Sequence, residues 1–206
     1  MILHADAALI VAEKPAGLLA VPGRGPDKQD CLSARVQQRF ADALIVHRLD
    51  MDTSGLICFA RGVDSQRRLS RAFEERTIGK RYVARVIGRL QAADDGWQVI
   101  DLPLCVDWLN RPKSKVDPVQ GKPSRTRWRV SAYDAASDTT SVDLEPVTGR
   151  SHQLRVHLAA LGHPILGDPL YAPPRPAARM YLHATRLSLL HPADGQPVMF
   201  SSPAPF

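Results

Sequence analysis

Three observations predict an α+β chain with a mixed or antiparallel sheet. Short apolar runs bounded by Gly and Pro are numerous, stretches with helical spacing are few, and the two do not alternate regularly. Leu9-Ile10-Val11-Ala12-Glu13-Lys14 reads as a strand stopped by Pro15-Ala16-Gly17, and residues 22–30 as a loop. Residues 31–40 form a short amphipathic helix with Leu32, Val36 and Phe40 on one face. Strands follow near 43–47 and 56–60. Asp64 to Arg76 is a second helix, capped by Asp64, with Leu69 and Phe73 four residues apart. Lys80 to Gly88 alternates as a strand does, and Trp97 to Leu102 is another.

Residues 107–129 are rich in Pro, Gly and positive charge, with Trp108 and Trp128 near the ends, and read as a long loop or hairpin. Strands are expected near 126–133 and 140–146. Pro146 to Ser151 is a turn into a third helix, with Ser151 as its cap, Leu154, Leu158 and Leu161 as its buried stripe, and Gly162 at its end. Residues 172–178 are a loop, and Tyr181 to His191 and Val198 to Phe200 are closing strands.

The 206 residues suit a single domain over 1–206. Hydrophobic residues at 44% and charged ones at 23% exclude a disordered chain. The formal charge is +6, and only six of the 27 basic residues are Lys, the rest Arg. Arg grips phosphate and stacks on bases, which leans toward nucleic acid, although a GC-rich coding sequence produces the same bias. Cys31, Cys58 and Cys105 are far apart and form no CxxC, against a disulfide scaffold or zinc finger. With no long apolar run and no signal-peptide pattern, a cytoplasmic enzyme or binding protein is expected.

The chemistry centres on His47-Arg48-Leu49-Asp50-Met51-Asp52-Thr53-Ser54-Gly55, bracketed by Ala43 to Val46 and Leu56 to Ala60. A carboxylate between two buried strands is held rigidly, as a catalytic group must be. To stay ionised there Asp50 needs a cation, and Arg48 and Arg155 are the candidates; a plain buried Asp–Arg brace is the equally weighted alternative. Asp52 reads better as a turn former than as a rival acid. Tyr82 is either a platform for a base or a core residue with its hydroxyl at the rim. The histidines 47, 152, 157, 163 and 183 lack zinc spacing, and there is no nucleophile-elbow, Walker or Rossmann pattern.

His47-Arg48-Leu49-Asp50 with Thr53-Ser54-Gly55 resembles the signature of the RluA family of pseudouridine synthases. Glu13-Lys14-Pro15-Ala16-Gly17-Leu18, Lys80 to Val86, Thr148 to His157, Gly162 to Asp168 and Leu182-His183-Ala184 resemble that family's other motifs, in its order. Asp107-Trp108, Asn110 to Lys113 and Gly121-Lys122-Pro123 are similar to its dual-specificity subgroup, as is the absence of an appended N-terminal RNA-binding domain. The resemblance implies a mixed, mostly antiparallel sheet with flanking helices and loops and a cleft across it. It implies isomerisation of uridine to pseudouridine in a tRNA anticodon loop and a loop of 23S rRNA, by a monomer with neither metal nor organic cofactor. Asp50 would be the catalytic aspartate, Tyr82 would stack on the uracil, Arg155 would pair with Asp50, and Arg48 would fill the gap left by the flipped nucleotide. Arg111, Lys113, Lys115, Lys122, Arg150 and His152 would contact RNA. A non-catalytic RNA-binding or ribosome-assembly protein and a base-excising glycosylase are the alternatives kept open.

Overall fold

The computed structural model describes residues 1–94 and 96–206. In chain order its elements are β1 (Ile2–Ala5), β2 (Leu9–Lys14), a 3-10 turn (Pro26–Lys28), α1 (Leu32–Gln37), β3 (Ala43–Ile45), β4 (Ser54–Arg61), α2 (Gly62–Glu74), β5 (Gly79–Ile87), β6 (Gln98–Asp101), β7 (Leu104–Val106), β8 (Ser114–Val116), β9 (Arg125–Asp134), β10 (Thr139–Pro146), α3 (Gln153–Ala160), β11 (Leu182–Leu190) and β12 (Pro197–Ser201). The class is α+β, as the sequence predicts. Two compact units divide the chain: residues 1–80 with 183–205, and residues 81–182 with Phe206.

In the first unit the strand order is β1-β2-β4-β11, with β3 also on β4 and β12 on β11. All these pairings are antiparallel except β4 with β11. Leu9 to Ala12 and Leu56 to Ala60 are buried on both faces, which is why they read as uninterrupted apolar runs rather than alternating ones. Leu9, Val11, Leu56, Cys58, Ala60 and Leu69 form its core, against which Ala72 and Phe73 of α2 pack.

The second unit is the antiparallel sheet β5-β10-β9-β6. Its core joins Ala84 and Val86 of β5, Val142 and Leu144 of β10, Trp128 of β9 and Leu154 and Leu158 of α3. A separate hairpin, β7 with β8, occupies part of the basic stretch.

Several local expectations are corrected. β1 is a strand that its short, half-exposed sequence conceals. Asp64 does not cap α2: the helix starts two residues earlier from Arg61, and the Asp64 carboxylate meets Arg67 on the surface at 3.4 Å. Ser151 does not cap α3 either; the N-cap is His152, in a left-handed conformation (φ 55°). Leu161 is the C-cap and partly exposed, not part of the buried stripe. Trp128 is core, at 6% exposure, and not an end of a basic loop.

Candidate active site

Arg48 and Asp50 lie in the first unit; Tyr82, Arg155 and the residues expected on RNA from Arg111 to His152 lie in the second. Each set is positioned by the elements of its own unit.

In the first unit, the segment between β3 and β4 is fastened at several points. His47 accepts the Cys58 N–H on Nε2 (3.0 Å) and stacks on Phe73, ring centroids 4.4 Å apart. Burial, aided by the nearby Lys80, pushes its pKa down to about 3, so the imidazole stays neutral. Leu49 is buried, Arg48 is exposed, and Asp50 sits half-buried between them and the turn. A main-chain bond from the Thr53 N–H to the Asp50 carbonyl (3.2 Å) closes that turn.

The next carbonyl, of Met51, accepts from the Gly17 N–H at 3.0 Å and from Nζ of Lys14 at 2.7 Å. Lys14 is fully buried, and Nζ also donates to the carbonyls of Pro15 (2.8 Å) and Leu18 (2.6 Å). The ammonium thereby replaces its water with fixed backbone dipoles and ties the Lys-Pro element to the residue after Asp50.

Past the turn, Ser54 Oγ bonds His183 Nδ1 at 2.8 Å. His183 Nε2 meets Ser202 Oγ, which donates to Glu13 Oε1 at 3.0 Å. Gly55 has φ 109°, and a Cβ there would run into the Ala184 backbone of β11. Glycine is what permits this parallel strand contact.

In the second unit, Tyr82 lies on β5, half-buried, its ring against the core and its register partner Leu144. Arg155 projects from α3 and is 2% exposed. Its Nε donates to Asp168 Oδ2 and its Nη2 to Asp168 Oδ1, both at 2.7 Å: a bidentate, fully buried pair. The Asp168 carboxylate also accepts the N–H groups of Leu170 (2.9 Å) and Tyr171 (3.2 Å). The Arg155 guanidinium lies 5.2 Å from the Tyr171 ring centroid. The Tyr171 hydroxyl meets His152 Nδ1 at 2.8 Å and accepts the Ser114 N–H of β8 at 2.7 Å. Gln153 organises the turn before α3: its Oε1 accepts from Thr148 Oγ1 and the Arg150 N–H, and its Nε2 donates to the Arg125 carbonyl.

Asp168, Tyr171, Gln153 and the Lys14 clamp are residues to which sequence reasoning assigns no role. A buried Arg on a helix demands an acid nearby, but the sequence alone does not say that Asp168 is the one.

The cations expected on RNA separate into two sets. Arg111, Lys115, Lys122 and Arg150 are exposed, and Lys113 and His152 are half-buried. Arg125, Arg127 and Arg129, counted from sequence with the basic loop, stand instead on β9 and pair with Asp101, Glu145 and Asp143. On α2, Arg67 and Arg71 face Asp64 and Glu75, and Arg68 bonds the Pro192 carbonyl at 2.7 Å. Among the described residues no cluster of His, Cys, Asp and Glu could hold a metal ion, and no helix is long and apolar enough to cross a membrane.

The Asp50 turn and the Arg155–Asp168 pair are each fixed within their own unit. Comparison with known proteins gives the family. The family model described as RNA pseudouridylate synthase matches residues 8–160. The dual-specificity RNA pseudouridine synthase RluA of Escherichia coli (strain K12) is 49% identical over 209 residues, spanning 100% of this chain and 94% of that protein. The Yersinia pestis protein of the same name is 49% identical over 209 residues and covered in full. The solved structure of human RNA pseudouridylate synthase domain containing 1 superposes with a TM-score of 0.81 at 32% identity, over 100% of this chain and 83% of that one. This chain belongs to the RNA pseudouridylate synthase family, isomerases that convert uridine in RNA to pseudouridine.

Proposed function

We propose that the protein isomerises a uridine in the anticodon loop of tRNA and one in a loop of 23S rRNA, acting in the cytoplasm as a monomer and a single catalytic domain without metal or cofactor. Identity near one half along the full length to enzymes named as dual-specificity, in more than one bacterium, is the observation that carries the substrate reading.

Asp50 is the catalytic carboxylate in this reading. The reaction breaks N1–C1′, turns the uracil and joins C5 to C1′, with no atom gained or lost. Glycosidases use two carboxylates because one must engage water or act as acid; an isomerase that retains its uracil needs neither, so one suffices. Arg155, its guanidinium fixed by Asp168, is the partner of Asp50 in this reading. Tyr82 stacks on the uracil, and Arg48, exposed at the Asp50 turn, fills the vacated stack. Eversion of a base costs a few kcal/mol, and stacking on one aromatic ring returns roughly 1–3 kcal/mol. Arg111, Lys113, Lys115, Lys122, Arg150 and His152 hold phosphates and riboses.

Asp50→Asn tests the assignment. It is expected to bind an anticodon stem-loop like the parent and to lose pseudouridine formation by at least roughly a thousandfold, read by tritium release from 5-tritiated uridine. Appreciable release would remove Asp50 from the reaction. Mapping pseudouridines in RNA from a deletion strain tests the dual substrate: both sites should be lost together.

A further inference from the structure

The β7–β8 hairpin ends in a feature that the assigned roles leave unused. Trp108 is 71% exposed and Leu109 beside it is 96% exposed. Their backbone is fixed all the same. Asp107 N–H donates to Lys113 O (2.9 Å), Asn110 N–H to Asp107 O (3.2 Å), Lys113 N–H to Asn110 O (3.0 Å), and the Asn110 amide to Asp107 Oδ2 (2.8 Å). The Arg111 guanidinium lies 3.3 Å from the Trp108 ring centroid, against one face of the indole. An aromatic ring held in water by a stacked cation, on a tied-down turn, is preorganised to receive a second flat group on its other face.

The occupant can be chosen by charge and position. Arg111, Lys113, Lys115 and Lys122 outnumber Asp107 and Asp117 over residues 107–122, which favours a polyanion. Where the strands pass into the loop, the Ser114 N–H bonds the Tyr171 hydroxyl, and the Arg155 guanidinium lies 5.2 Å from the Tyr171 ring centroid. Ser114 is the register partner of Val106, so Trp108 lies at most roughly 7 Å of chain beyond that pair.

We propose that this hairpin is a nucleotide-binding finger: the open face of Trp108 stacks on an unpaired base flanking the target uridine, while Arg111 and Lys113 meet the adjoining phosphates. A stacked guanidinium keeps its N–H edges for phosphate, so Arg111 serves both ends of the nucleotide. The inference rests on the reading of the substrate as an RNA stem-loop.

Binding is the readout, so that it stands apart from catalysis. With a fluorescent anticodon stem-loop carrying a loop uridine, Trp108→Ala is expected to weaken affinity roughly 5- to 150-fold. Trp108→Phe should restore most of it, and kcat at saturating RNA should be unchanged. Replacing loop nucleotides one at a time by abasic residues should weaken the parent at one flanking position while costing Trp108→Ala nothing further there. Equal affinity of parent and Trp108→Ala, or independent losses at every position, overturns the proposal. Pseudouridine formation on the same stem-loop by the parent tests the substrate reading separately: tight binding without product would count against that reading and not against the finger.

Discussion

Arg155 and Asp168 form a pair with side-chain exposures of 3% and 0%. Two charges at that depth are compensated by each other, with the Leu170 and Tyr171 N–H groups completing the carboxylate. Asp168→Asn removes the buried charge opposite the guanidinium and is expected to cost about 3–5 kcal/mol of stability, measured by denaturant unfolding, together with most of the activity. The double change Arg155→Met with Asp168→Leu removes both charges; it should recover much of the stability and none of the activity. Lys does not replace Arg155, since an ammonium offers no planar fork to Asp168. Asp50 and Arg155 stand out in the sequence as candidates for chemistry, because a carboxylate set between apolar runs is costly to keep there for packing alone. The acid that holds Arg155 could not be singled out: Asp168 is brought to it by the loop after α3, and nothing in local spacing ranks it above the other acids.

At the scale of elements, the turn between β3 and β4 is fixed from both sides by groups that contain no reacting atom. His47 is one of them, and its acceptor role requires a neutral ring. Burial holds its folded pKa at about 3 against 6.5 for the free side chain. The unfolded chain therefore binds a proton that the folded chain refuses, and stability falls as pH drops from about 6.5 toward 3. His157, buried between Thr126 and the Leu102 carbonyl, is shifted the same way. His47→Gln keeps an acceptor for the Cys58 N–H without titrating, so the decline in melting temperature between pH 7 and 5 should be shallower than in the parent, though not abolished. An unchanged slope would mean that His47 titrates freely. The elements themselves were largely legible, since β2, β4 and α2 have long apolar patterns. The caps were not: Asp64 and Ser151 have cap-forming side chains, yet α2 begins before the one, and Gln153 takes over the turn beside the other.

For the molecule as a whole, a charge of +6 says less about RNA binding than the partners of the individual cations do. Arg125, Arg127 and Arg129 recur every second residue and so share one face of β9, opposite acids on neighbouring strands. That spacing was visible in the sequence and marks a ladder of ion pairs rather than a phosphate grip. The difference is measurable. Lys113→Ala should lower the slope of log affinity against log salt by about 1. Arg127→Ala should leave it nearly unchanged, since Glu145 retains Arg81 as a partner at 2.9 Å.

The parallel contact at Gly55 has a consequence for biosynthesis. Ser54 and its partner His183 are 129 residues apart. A nascent chain that has left the ribosome only as far as the second unit carries β4 without its β11 neighbour. The turn that bears Asp50 can acquire this support only once β11 has emerged, well after the turn itself, and such distant closure is slow.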